Sequence, residues 1–332
     1  QEQYHLVLDK TTFYPEGGGQ VGDTGILIFD GEIVRVIDTK KENDLIIHMV
    51  DRIPDNVKGQ VFGEVDEVKR RLTENNHSAT HLLHAALREV LGDHVQQKGS
   101  LVRHDYLRYD VSHFQKITDE ELAQVEKIVN RKIRENISLL EDRYIPIEEA
   151  KKAGAMMLFG EKYGDTVRMI TFDPSFSREL CGGCHVRATG KLGFFKITSE
   201  SGIAAGVRRI EAITADEAEK YVREREEELA AIRLFFKNNQ NLVRNVADLH
   251  DENKTLLKEI EKLRAAQAAS LKDGLMAKRT EISGVPVIAS VVSDLDAKNA
   301  KTLSSSLLSG LGAGVVLLGL ADQEKPTLCL SI

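Results

Sequence analysis

The first 70 residues alternate apolar and polar positions in short runs: HLVLD, GILIFD, GEIVRVID, DLIIHMV and GQVFGEV. Glycine- and aspartate-rich turns separate the runs, and period two means strands. The pattern predicts a small β-barrel over residues 1–70. Residues 71–215 change period repeatedly. Helices are expected over 77–91, 118–137 and 146–153, and strands over 100–102, 107–111, 166–172, 192–198 and 208–214, an α+β pattern. In DEELAQVEKIVNRKIREN, Leu122, Val125, Ile128, Val129 and Ile133 recur at helical spacing. In NNHSATHLLHAALREVLG (75–92), Leu83, Ala86, Leu87 and Val90 fall on one side and His77, His81 and His84 on the other. Asn75 and Asn76 read as N-caps of that helix and Gly92 as its stop.

Residues 216–276 are highly charged and helical. Val246, Leu249, Leu256, Ile260 and Leu263 hold one phase with Asn253, and the phase extends back to Ile232, Phe235 and Asn239. One reading is a continuous helix paired with a second chain, its asparagines setting register. The other is a break at NNQN (238–241) and an antiparallel helical hairpin; the asparagine-rich composition favours the hairpin. Residues 277–332 read strand, helix, strand, strand (VPVIASVV, DAKNAKTLSSSLLSGLG, GVVLLGLA, TLCLSI), an incomplete α/β domain with Cys329 in its core.

Composition changes this picture little. At 332 residues, 42% hydrophobic and 29% charged, the chain suits two or three ordinary globular domains. No apolar run reaches membrane-spanning length. The polar, strand-like opening QEQYHLVLD is not a signal peptide. The chain opens without Met and stops inside a strand pattern, so a piece of a longer protein is expected. A net charge of −7 argues against a general polyanion binder, although a local basic stripe suffices for nucleic acid.

Three cysteines do not make a secreted disulfide framework, so a reducing, cytoplasmic setting is expected. Two of them fall in SRELCGGCHV (177–186), beside His185. A disulfide, a redox pair and half of a metal site compete. A redox pair needs its first cysteine at a helix N-terminus, but HVRATGKLG breaks for a turn at Thr189–Gly190. A metal site needs about four nitrogen or sulfur ligands. His77 and His81, at i and i+4, aim two imidazoles at one point and supply the missing half. FYPEGGGQVGDTG (13–25) lacks the GxxxxGK[ST] of a phosphate loop, and no helical pattern follows it, so it reads as a structural turn.

HSATHLLHAAL, HVQQKGSLV (94–102), RELCGGCHV and SGIAAGVRRIEAITA (201–215) closely resemble the editing domain of alanyl-tRNA synthetases. FYPEGGGQVGDTG resembles the glycine-rich segment that precedes it. The motifs keep the family's order across residues 1–215. The likeness continues more loosely through a helical linker and a small C-terminal domain. Together with the patterns above, it divides the chain into four parts: 1–70, 71–215, 216–276 and 277–332. It also implies zinc held by His77, His81, Cys181 and His185, with Cys184 standing where the family usually has threonine. Thr80, Gln97 and Cys181 are the implied catalytic residues. Lys98, Arg208 and Arg209 are the implied phosphate contacts to the acceptor end of tRNA(Ala).

The implied reaction is hydrolysis of Ser-tRNA(Ala) and Gly-tRNA(Ala), with ATP-dependent aminoacylation left to the full-length ligase. A homodimer through the C-terminal helices is expected, and no membrane. The rival readings are a non-catalytic tRNA-binding and dimerisation module, or a free-standing trans-editing relative.

Overall fold

A computed structural model describes residues 4–157, 163–237, 240–293, 295–321 and 326–332. The chain divides into two compact units, Gln1–Glu228 and Leu229–Ile332. Each is mixed α and β.

The first unit opens with five strands: β1 Tyr4–Val7, β2 Gly25–Phe29, β3 Glu32–Glu42, β4 Leu45–Val50 and β5 Val61–Val65. They form an antiparallel sheet in the order β1-β4-β3-β2-β5. This corrects the expected barrel, because β1 and β5 are edges and do not pair with each other. Closure is not needed to cover the apolar face. The connection from β1 to β2 returns over the sheet and buries Phe13 among Leu27, Phe29, Val34, Val36 and Val50. Glu16 N–H donates to Thr39 O at 2.8 Å and Thr39 Oγ1 donates to Asp23 O at 2.8 Å, which ties that connection to β3.

The long helix α1, Glu67–Leu91, follows. It begins ten residues before the expected start of 77. Its N-cap is Asp66, whose carboxylate accepts from Lys69 N–H at 3.0 Å. Asn75 and Asn76 are therefore not caps but buried mid-helix residues. Asn76 is accommodated there by distant partners: its amide donates to Arg103 O at 2.8 Å, and its Oδ1 accepts from Thr214 Oγ1 at 2.6 Å. Gly92, at φ 110°, ends the helix as expected.

Next come β6 Gln97–Val102, β7 Leu107–Ser112, α2 Asp119–Arg134, β8 Leu140–Pro146, α3 Ile147–Lys152, β9 Thr166–Phe172, β10 Ser177–Leu180, β11 Phe195–Ala204, β12 Val207–Thr214 and α4 Ala215–Arg233. A capping box of Thr118 and Glu121 starts α2. Strands in the order β11-β12-β7-β6 form an antiparallel sheet, and α1 and α2 pack on it. Leu82, Leu83, Ala86 and Leu87 of α1 bury fully against Val125, Val129, Tyr109 and Ile210. A third sheet, β10-β9-β8, carries α3 over Val167, Met169 and Leu180.

In the second unit, α5 Leu242–Met276 begins at Asn241, whose side chain accepts from Arg244 N–H. The helical stretch is thus two helices, not one. Asn238 and Asn239 of the expected break lie outside the described residues. Strands β13 Thr280–Ile282, β14 Val285–Val292, β15 Val315–Leu320 and β16 Thr327–Ser331 form one sheet, with α6 Ala297–Leu311 between β14 and β15. The β14–β15 pair is parallel, as a crossover helix requires. Ile288, Val316, Leu318, Leu303 and Leu307 form its core, and Cys329 packs partly against it. Val246, Leu249, Leu256, Ile260 and Leu263 of α5 are exposed. Among the described residues no helix is long and apolar enough to cross a membrane.

Candidate metal centre

The apolar stripe of α1 faces the sheet core, so its other face carries His77 and His81 toward the segment after β10. There Cys181 and His185 meet them. Cys181 Sγ lies 3.4 Å from His77 Nε2 and 3.3 Å from His185 Nε2. The four ligand atoms of His77, His81, Cys181 and His185 all fall within 4.8 Å of one another. Tetrahedral zinc with bonds of about 2.0–2.3 Å separates its ligands by about 3.3–3.8 Å. The two Cys–His edges already have that length.

The donor set fits zinc. Three imidazoles and one sulfur form a borderline-soft set. His81 also keeps one buried ring nitrogen, Nδ1, without a hydrogen-bond partner among the described residues. Burial, and then the neighbouring His81, push His77 down to about 3. Burial likewise lowers His81 and His185, which favours the neutral rings that ligands must be. Burial drives the Cys181 thiol up to about 12, a shift that a cation among these groups opposes.

Three residues outside the cluster orient it. Gln20, fully buried, accepts from His77 Nδ1 at 2.8 Å and from Cys184 N–H at 2.8 Å through the same Oε1. Ser78 Oγ sits 3.1 Å from His185 Nδ1 and accepts from Val186 N–H at 3.1 Å. Arg168 donates to Cys181 O at 2.9 Å and Gly183 O at 2.6 Å, while its Nε is held by Glu141 at 2.7 Å. One guanidinium thus clamps both ends of the Cys-Gly-Gly turn. The turn is tight because a Cβ on Gly183 would lie 2.0 Å from His77 Cε1.

Gln20 belongs to the glycine-rich segment read only as a turn; its GGGQ sequence was the available signal. Arg168 carried no local signal, since only folding brings β9 to this loop.

The other expected residues are placed less centrally. Cys184 contributes no atom to the four-residue cluster. His84 turns to Glu179 instead: His84 Nδ1 is 3.1 Å from Glu179 Oε1, and His81 Nε2 is 3.8 Å from Glu179 Oε2. Burial pushes the Glu179 carboxyl up, but His81 and His84 outweigh it and hold it below its usual value. A cavity of about 470 Å³ opens beside this pair, lined by His84, Arg88, Gln97, Met156, Glu179 and Leu180. Gln97 therefore reaches it. Thr80 is buried, and its hydroxyl donates to Asn76 O at 2.8 Å.

Lys98 is exposed on β6. Arg208 and Arg209 are engaged within the fold, Arg208 with Glu200 at 2.5 Å and Arg209 through two bonds with Asp110 at 2.7 and 2.8 Å. As neighbours on β12 they point to opposite faces.

Comparison with known proteins defines the class first. Residues 1–96 match the family described as tRNA synthetases class II (A). Residues 167–211 match the threonyl and alanyl tRNA synthetase second additional domain, which here spans β9, Cys181, His185 and most of β12. The alanine–tRNA ligase of Cytophaga hutchinsonii is 60% identical over 277 residues, 82% of this chain and 32% of that protein. That of Bacteroides fragilis is 47% identical over 333 residues, 100% of this chain and 38% of that protein. That of Christiangramia forsetii is 48% identical over 328 residues, 98% and 37% respectively. The chain belongs to the alanyl-tRNA synthetase family and spans roughly a third of the length of these relatives.

Proposed function

We propose that this chain is the editing part of an alanine–tRNA ligase and hydrolyses serine or glycine wrongly esterified to tRNA(Ala). The observation that carries the reading is the four-ligand cluster of His77, His81, Cys181 and His185 standing beside a cavity of about 470 Å³. That volume is in the range of a small-ligand site. The chemical need is plain. A pocket for alanine discriminates against glycine by only about 1–3 kcal/mol, and it rejects an added hydroxyl weakly, so a second, hydrolytic site has to remove the errors.

In this reading the four residues hold zinc. When bound, zinc supplies positive charge that polarises the ester or orients the amino acid. Cys181 acts through the metal. Gln97 lines the cavity and offers an amide to the substrate. Thr80, whose hydroxyl is taken by Asn76 O, spaces the two imidazoles along α1. Lys98, exposed on β6, is the proposed phosphate contact, while Arg208 and Arg209 would share their charge with Glu200 and Asp110. Aminoacylation with ATP belongs to the whole ligase. The helical hairpin, a homodimer through the exposed apolar stripe of α5 and a cytoplasmic setting complete the proposal.

The test is release of free serine from Ser-tRNA(Ala), with Ala-tRNA(Ala) as control. Release by the chain, lost in His81→Ala, is the expected result. Serine release at the spontaneous rate would falsify the hydrolase and leave a tRNA-binding module.

A further inference from the structure

Three sites follow one another along α1. His84 and Arg88 line the cavity just described, and His77 and His81 belong to the metal cluster. Nearer the helix start, Arg71 and Asn75 line a second cavity of about 480 Å³, completed by Arg187 and Lys191. At 1.5 Å per residue, Asn75 stands about 3 Å and Arg71 about 9 Å along the axis from His77. Arg187 follows the cluster residue His185 by two positions. The second cavity therefore lies toward the start of α1 and the first toward its end, with the metal cluster at an intermediate height.

Its cations differ from their neighbours. Lys69, Arg70, Lys132, Arg168, Arg208 and Arg209 all pair with carboxylates. The side chains of Arg71, Arg187 and Lys191 are exposed and make no hydrogen bond or close ion pair among the described residues, although Arg187 acts electrostatically on Glu74. A second observation is independent of charge. Asn75 is 3% exposed, and its Oδ1 has no hydrogen-bond partner among the described residues. A buried carbonyl left unpaired is costly, and a ligand donor would satisfy it.

Glu74, Asp216 and Glu219 line the same cavity. A bare anion would meet these carboxylates as well as the cations. The lining suits a ligand that carries both phosphates and hydrogen-bond donors. Ribonucleotides do: the phosphate takes the cations, and the 2′-hydroxyl and base amino groups donate to carboxylates and to the asparagine carbonyl.

We propose that this second cavity seats a ribonucleotide segment of the RNA strand whose esterified end lies at the metal centre. Arg71, Arg187 and Lys191 hold its phosphates, while Asn75 and the three carboxylates read its ribose and base donors. The proposal rests on the reading above that the substrate is a tRNA ester.

The test uses the full chain and fluorescence anisotropy with a short single-stranded RNA ending in CCA, DNA of the same sequence, and inorganic phosphate as competitor. The variants are Arg71→Gln, Arg187→Gln and Lys191→Gln, singly and together, with zinc content and the thermal midpoint as checks on the fold. RNA should bind more tightly than DNA, and inorganic phosphate should compete poorly. Each single variant should lower the slope of log affinity against log salt by about 0.7. The triple variant should bind RNA at least about tenfold more weakly and raise KM for Ser-tRNA(Ala) with kcat little changed. Wild-type RNA affinity and salt slope in the triple variant would overturn the proposal, as would equal binding of RNA and DNA by the wild type. If serine release is absent but the triple variant still loses RNA, the hydrolase reading falls and the RNA site stands. If serine release is intact and the triple variant has an unchanged KM, the RNA site alone falls.

Discussion

Gln20 Oε1 lies 2.8 Å from His77 Nδ1, and that distance sets the tautomer of the ring. The same oxygen accepts from Cys184 N–H, so it is the amide oxygen and not the nitrogen. His77 Nδ1 therefore carries the proton, and Nε2 presents its lone pair toward Cys181. Partners of this kind orient a metal ligand and raise its basicity. Gln20→Ala should keep the fold and lower zinc affinity about 10–100-fold. Competition with a chromogenic chelator measures it, and an unchanged affinity would remove Gln20 from the orienting set.

The two cysteines of the CGGC turn should behave differently. Cys181 belongs to the four-ligand cluster and Cys184 does not. Cys184→Thr is expected to retain zinc near one per chain, whereas Cys181→Thr and His185→Ala lose most of it. The alternative is a Cys181–Cys184 chelate with His185 turned away. It gives the reverse at positions 184 and 185, so elemental analysis of the three proteins separates the two.

The two glycines should also differ. A Cβ on Gly183 meets His77 at 2.0 Å and 2.3 Å, while one on Gly182 meets nothing within 4 Å. Gly183 does not have a positive φ, so its requirement is close approach and not backbone strain. Gly183→Ala should cost about 1–3 kcal/mol by overpacking, and Gly182→Ala should be near neutral. Urea unfolding of both variants reads the difference. Equal midpoints would show that the turn can shift as a body.

Stability of the metal-free protein should depend on pH in a defined way. His77 titrates near 3 in the fold against an ordinary 6.5, so between these values the unfolded chain binds more protons. Stability is then full above about 6.5 and falls as the pH drops toward 3. Cys181 moves the other way, to about 12 from 9.0, so the unfolded chain loses its proton first and stability falls as the pH rises above 9. Unfolding midpoints of chelator-treated protein should form a plateau between about 6.5 and 9. A midpoint that stays flat from 6.5 down to 4 would mean that His77 is not buried without metal.

What the residues alone determined is local. Helical period places His77 and His81 one turn apart on one face, opposite Leu83 and Leu87, wherever α1 packs. The spacing of Cys181 and His185 in a glycine turn is equally short-range, and so is the strand–helix–strand pattern of the second unit. These features follow from backbone geometry and from the apolar stripe; that the four residues form one ligand set is implied by the family resemblance and not by the spacing. Tertiary structure decided everything that depends on distant segments meeting. Gln20 reaches His77 across 57 positions, and Arg168 comes to Cys181 only because β9 pairs with β10. Asn76 looked like a cap because its amide competes with helix backbone. It is mid-helix because Arg103 and Thr214, far along the chain, satisfy that amide instead. The resemblance makes Arg208 and Arg209 phosphate contacts; the sheet sets Asp110 on β7 and Glu200 on β11 within bonding distance and engages them. The barrel failed for the same reason: alternation fixes which face of a strand is apolar, but not whether another strand or the returning Phe13 segment covers it.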